Sequence, residues 1–136
     1  MIKIVVDTNV FVSSFFGGKP RKIIELWRNG ELTICLSAFI VDEYIEILSR
    51  LGLRDEYELK QLLKVFAEGR NILFTANLPS LEIVRDDPDD DKFIECAVAL
   101  DAECIVSGDK HLKSIGNYMS IRILSPTEFL EFIASP

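Results

Sequence analysis

Short apolar runs alternate with stretches of helical period along the whole chain. Ile2-Lys3-Ile4-Val5-Val6 and Cys104-Ile105-Val106 are brief and nearly continuous in apolar character. Runs of this length bounded by turn residues read as strands buried on both faces. The pattern predicts strands at 2–6, 32–36, 71–75, 103–107 and 121–124. Helices are predicted at 19–29, 38–51, 56–69, 88–101 and 109–113, with a last one at 126–134. Local signals agree: Asn29-Gly30 and Gly69 stop helices, Ser37 caps one, and Asp87-Pro88 reads as N-cap followed by the first helical residue. Strands alternating with helices predict an α/β fold, a three-layer α/β/α sandwich around a central five-stranded, mainly parallel sheet. No repeat or linker divides the chain, so residues 1–136 are expected to form one domain.

Composition adds limits. Hydrophobic residues make up 49% and charged residues 27%, the balance of a globular protein rather than a disordered one. No apolar run is long enough to cross a bilayer, and the start lacks the basic and small-residue features of a signal peptide, so a cytoplasmic protein without membrane association is expected. Cys35, Cys96 and Cys104 are widely spaced among apolar neighbours and read as buried, inert thiols. His111 is the only histidine, which excludes a His-based zinc site, and it is expected at the surface.

The net charge of −7 argues at first against a polyanionic partner, but the placement of the acids matters more than their sum. Asp7 and Asp109 each follow an apolar strand at its carboxyl end, where open parallel sheets bind ligands. Either could instead simply cap the next turn. Glu43 borders the apolar stripe of Ile40, Tyr44, Ile47, Leu48 and Leu51 and so leans toward the protein body, with a salt bridge to an Arg or Lys as the alternative use. In the acidic run from Asp86 to Asp91, negative charge suits a helix start. Helical spacing turns Asp90 inward with Phe93 and Ala97, tilts Asp89 inward as a second choice, and turns Asp91 outward with Glu95. Carboxylates gathered in one pocket repel one another unless cations compensate, and oxygen-only sites suit Mg²⁺ or Mn²⁺.

The segments Val6-Asp7-Thr8-Asn9-Val10, Glu43 after Ser37, Arg85 to Phe93, and Val106-Ser107-Gly108-Asp109 resemble, in order and spacing, the four acidic motifs of PIN domains. The likeness spans essentially the whole chain and is greatest to toxin components of toxin–antitoxin systems related to VapC toxins. It implies a Mg²⁺- or Mn²⁺-dependent endoribonuclease with Asp7, Glu43, Asp90 and Asp109 at the metal centre and Asn9 and Ser107 in support. It also implies a homodimer and a small antitoxin partner. Five acids within six residues leave room for the third motif to slip by one, onto Asp89 or Asp91. Phe11, Phe15 and Phe16 are candidates for partner contacts, with core packing as the alternative.

Two basic groups, Lys19, Arg21 and Lys22 after the first strand and Lys110, His111 and Lys113 after the fourth, are expected on loops beside the acids, as RNA phosphate contacts or as solvated surface. The alternative function is a catalytically weak RNA-binding or regulatory module. A phospho-receiver domain lacks its expected acidic pair near the end of the first strand, and a haloacid-dehalogenase-type phosphatase would need Asp-x-Asp where this chain has Asp7-Thr8-Asn9.

Overall fold

The computed structural model describes residues 1–52, 57–76 and 91–134. Strand β1 (Ile2–Val6) leads into a short helix α1 (Thr8–Ser13), a 3₁₀ turn at Ser14–Phe16, and α2 (Gly18–Arg28). After β2 (Leu32–Ser37) come α3 (Ala38–Arg50) and α4 (Tyr57–Glu68), then β3 (Ile72–Thr75) and α5 (Asp91–Ala99). The chain ends with β4 (Cys104–Val106), α6 (Lys110–Ile115), β5 (Asn117–Tyr118), β6 (Ile121–Leu124) and α7 (Pro126–Ala134).

The sheet order is β3-β2-β1-β4-β6-β5, parallel throughout except for β5. The sheet therefore has six strands rather than the expected five. The extra strand is two residues long and pairs with β6 through a tight turn at Met119 and Ser120, both at positive φ (48° and 71°). Such turns usually carry Asn or Gly, so the sequence offers no hairpin signal there. Every residue of β4, and Ile4, Val5 and Val6 of β1, is buried, which requires cover on both faces. Helix α5 lies across β1, β2 and β4, and α2 lies against β2 and α7.

Helix ends follow local chemistry. Ser37 accepts a hydrogen bond from Ile40 N at 3.3 Å, and Gly30 at φ 82° lets the chain leave α2. Helix α7 opens on a reciprocal capping box between Ser125 and Glu128. Glu128 also pairs with Lys113, and these contacts hold its carboxyl down at about 2. Helix α1 is not foreseen by the sequence pattern: six residues give too little period to read, and its start depends on a cap from Asp7.

An aromatic cluster sits beneath the α1 segment. The Phe11 ring stacks on Tyr44 at 3.9 Å between centroids and also meets Phe66, while Trp27 packs on Phe66 and donates to Asn71 O. Core packing is thus the use of Phe11; Phe15 is half-buried, and Phe16 is 70% exposed. Leu51, expected on the buried stripe of α3, is exposed at the helix end, and His111 is half-buried rather than at the surface. All three cysteines are buried, which pushes Cys35 and Cys96 up to about 12 and Cys104 to about 11, so they stay protonated and inert.

Candidate functional site

The strand order reverses between β1 and β4: from β1 the chain proceeds outward to β2 and β3, then returns to place β4 on the other side. This is the switch point at which parallel sheets open a crevice. Val6 pairs with Val106, so Asp7 and Ser107 leave adjacent strands side by side, and Asp7 N donates to Val106 O at 3.0 Å.

Asp7 is 4% exposed and serves two structural roles at once. Its Oδ1 accepts from Val10 N at 2.8 Å, capping α1, and its Oδ2 accepts from the Ser107 hydroxyl. Ser107 Oγ in turn accepts from Asp109 N at 2.9 Å. The serine thus ties the two acids into one unit. Asp109 caps α6, with Oδ1 accepting from His111 N and Leu112 N at 2.8 and 3.1 Å. Both acids are caps, the plainer of the two uses open to them in the sequence, and both also sit at the switch point. Burial pushes the Asp7 carboxyl above its ordinary value. The hydrogen bonds from Ser107 and Val10 oppose that shift, and the charges of Asp109 and Glu43 add to it.

Glu43 reaches the same region from α3. Lys92 Nζ, at the start of α5, lies 2.6 Å from its Oε2, with the two side chains 17% and 31% exposed respectively. The contact is an ion pair carried by charge and proximity, since this buried oxygen receives no well-directed hydrogen bond among the described residues. The salt bridge weighed for Glu43 is therefore present. The charge of Glu43 is nonetheless felt at Asp7. Tyr44, beside it, is fully buried and donates to Val6 O, so α3 is pinned to the end of β1.

Asp90 and Asp89 lie outside the described residues, as do Asp86, Asp87 and Pro88. Asp91, expected to point outward, is instead buried at 7% exposure. Helical spacing orders side chains around the helix alone and carries no information on what packs against each flank, which is what buries Asp91. Among the described residues no three Asp, Glu, His or Cys side chains are gathered as the ligands of one ion. The oxygen chemistry fits a hard divalent cation all the same. Asp7 is buried against its charge, and Thr8 Oγ1 beside it is buried without a hydrogen-bond partner among the described residues.

A cleft of about 510 Å³ opens beside Asp109, lined among others by Asn9, Ser13, Pro20, Lys110 and Pro126. The basic residues lie on helices α2 and α6 rather than on loops. Arg21 donates to the carbonyls of Ser14 and Phe15 and so braces the 3₁₀ turn, Lys19 donates to Thr127, and Lys113 pairs with Glu128. Lys22 and Lys110 are exposed and form no ion pair among the described residues. Sequence reasoning misses Lys92 and Thr8 as neighbours of the acids. The signal for Lys92 is its place as the first cation after the acidic run.

Residues 3–111 match the family described as PIN domain. The chain is also 31% identical to an uncharacterized protein of Methanocaldococcus jannaschii, over 96% of this chain and 90% of that protein. A match over most of the chain, and a relative covered nearly end to end, show that this protein belongs to the PIN domain family.

Proposed function

We infer that the chain is a divalent-metal-dependent endoribonuclease that hydrolyses RNA phosphodiester bonds beyond the carboxyl ends of β1 and β4. PIN domains are generally nucleases and generally use divalent metal ions. The observation that carries the reading is the Asp7-Ser107-Asp109 unit at the switch point, buried on one side and open to a cleft on the other. Asp7, Glu43, Asp90 and Asp109 form the proposed acidic set, with buried Asp91 beside Asp90 as an alternative member. A bound Mg²⁺ or Mn²⁺ supplies activation of water and neutralisation of charge on the phosphodiester.

The protein's own residues prepare the place. Ser107 and Val10 N hold the two oxygens of Asp7 in fixed directions, and the amides of α6 orient Asp109. Asn9 and Lys110 line the cleft where the RNA strand would lie. Stripping divalent ions with EDTA should abolish cleavage of single-stranded RNA, and adding Mn²⁺ or Mg²⁺ should restore it. Cleavage that survives rigorous chelation would overturn the reading.

Exposed Lys22 and Lys110 are the proposed phosphate contacts. The double change Lys22→Glu and Lys110→Glu should weaken RNA binding and flatten its salt dependence by roughly 0.7 in log-log slope for each phosphate the protein no longer neutralises. A filter-binding series over several salt concentrations checks this, and an unaltered slope would rule the two lysines out.

The toxin role, a small antitoxin and a second copy of the chain as partners belong to the same proposal and rest on the resemblance to VapC toxins. Of the three phenylalanines considered for such contacts, only Phe16 is well exposed.

A further inference from the structure

Three carboxylates brought near one another beyond the carboxyl ends of β1 and β4 would ordinarily call for more than one cation. Burial chiefly raises the Asp7 carboxyl and the charges of Asp109 and Glu43 add to it, yet the three are not gathered around a common point. Glu43 is already engaged: Lys92 Nζ lies 2.6 Å from its Oε2, and both side chains are largely withdrawn from water. Lys92 is itself held in place, since its ammonium lies 5.1 Å from the centroid of the Phe93 ring and Phe93 is core. Among the described residues no well-directed hydrogen bond reaches Glu43 Oε2, and the nearby positive charge of Lys92 compensates its burial.

We propose that Lys92 is a built-in cation of the acidic site, pairing with Glu43 so that the site takes up a single divalent ion, held on the Asp7 and Asp109 side. Lys92 is on this view a positioning residue: it fixes Glu43 outside the ion's ligand set and places a single positive charge where a second ion would otherwise sit. The inference rests on the nuclease reading only in treating Asp7 and Asp109 as ion ligands. Removing the ammonium leaves a withdrawn carboxylate oxygen with no compensating charge from Lys92, a ready hard ligand for an extra ion.

The test is Mn²⁺ titration of the full chain by calorimetry, with folding checked by circular dichroism. The wild-type protein should bind one equivalent, and Lys92→Met should bind a second. Adding Glu43→Gln to Lys92→Met should remove that second equivalent, and Lys92→Arg, which keeps the charge, should return the stoichiometry to one. If Lys92→Met does not fold, Lys92→Gln removes the same charge and is read in its place. A wild-type stoichiometry of two overturns the proposal without any variant. So does a charge-removed variant that gains no ion, or a gain that survives the loss of Glu43. Wild-type binding of one ion that Asp7→Asn abolishes, with Lys92→Met unaltered, sinks this proposal and leaves the nuclease reading standing. No Mn²⁺ uptake by any of these proteins sinks both.

Discussion

Asp7→Asn is expected to lower RNA cleavage by at least about a thousandfold while making the ion-free protein more stable at neutral pH. The first effect follows from removing a charged oxygen from the acidic set. The second follows from burial. The folded protein holds the Asp7 carboxyl above its ordinary value, chiefly because burial disfavours its charge. An acid raised on folding leaves stability intact below its unfolded value. As pH climbs from the ordinary aspartate value toward the raised folded one, the unfolded chain releases its proton first and stability falls. The loss grows until the raised folded value is passed, so at neutral pH, above the ordinary aspartate value, the burial of Asp7 weakens the fold. Asparagine removes the charge and can still cap α1 by accepting from Val10 N. The Ser107 hydroxyl must then find another acceptor, which trims the gain without reversing it. Thermal melts at neutral pH should therefore show the variant above the wild type in EDTA. Added Mn²⁺ should raise the wild type and leave the variant where it was. A variant that melts lower in EDTA would mean that the hydrogen-bond network outweighs the burial of charge. A variant that still cleaves RNA would remove Asp7 from the site.

The same residue shows why so much of the architecture is legible in the sequence. A mainly apolar run of five residues followed by an acid places that acid at a strand's carboxyl end, and the three-residue run Cys104–Val106, with Asp109 three residues beyond it, places another. Only the pairing of the two strands is left open, and the sheet order closes it by setting β4 next to β1. The parallel strands and the large helices follow from period and from stop signals such as Gly30 and Gly69, because those signals act over a few residues and need no tertiary partner.

What the sequence hides depends on tertiary partners. The antiparallel strand at Asn117–Tyr118 exists because β6 offers an edge to pair with, and its turn adopts positive φ at Met119 and Ser120 without the usual residues. A helical projection turns Asp91 outward, but the projection contains only the helix itself, and the residue is buried by what packs around it. Arg21 looks available for phosphate, since a cation near a helix N-terminus opposes the helix dipole, yet the carbonyls of Ser14 and Phe15 claim it. The tilt of Glu43 toward the protein body is readable, but Lys92 as its partner is not. That pairing joins residues from two helices far apart in sequence, and no local rule connects them.

Phe11→Ala should be among the most damaging single core changes, costing about 3–5 kcal/mol of stability. Phe11 is fully buried, stacks flat on Tyr44, and meets Phe15 and Phe66 at ring-centroid distances of 6.0 Å. Truncation opens a cavity that rigid aromatic neighbours cannot collapse to fill. The damage also reaches the acids. Phe11 N donates to Asp7 O at 3.0 Å, so the residue that anchors α1 in the core also sets the turn that carries Asp7. Tyr44, its stacking partner, donates to Val6 O one residue before Asp7 and lies next to Glu43 on α3. With the stack gone, α1 and α3 lose their common anchor and the geometry of both acids loosens. Chemical denaturation should show the lower stability. Mn²⁺ titration well below the new midpoint should show weaker ion binding in the chains still folded. Phe11→Leu keeps most of the volume and should recover the larger part of both effects. If Phe11→Ala lowers stability but leaves Mn²⁺ affinity unaltered, the aromatic stack supports the fold alone and the acids are positioned by the Ser107 network without it.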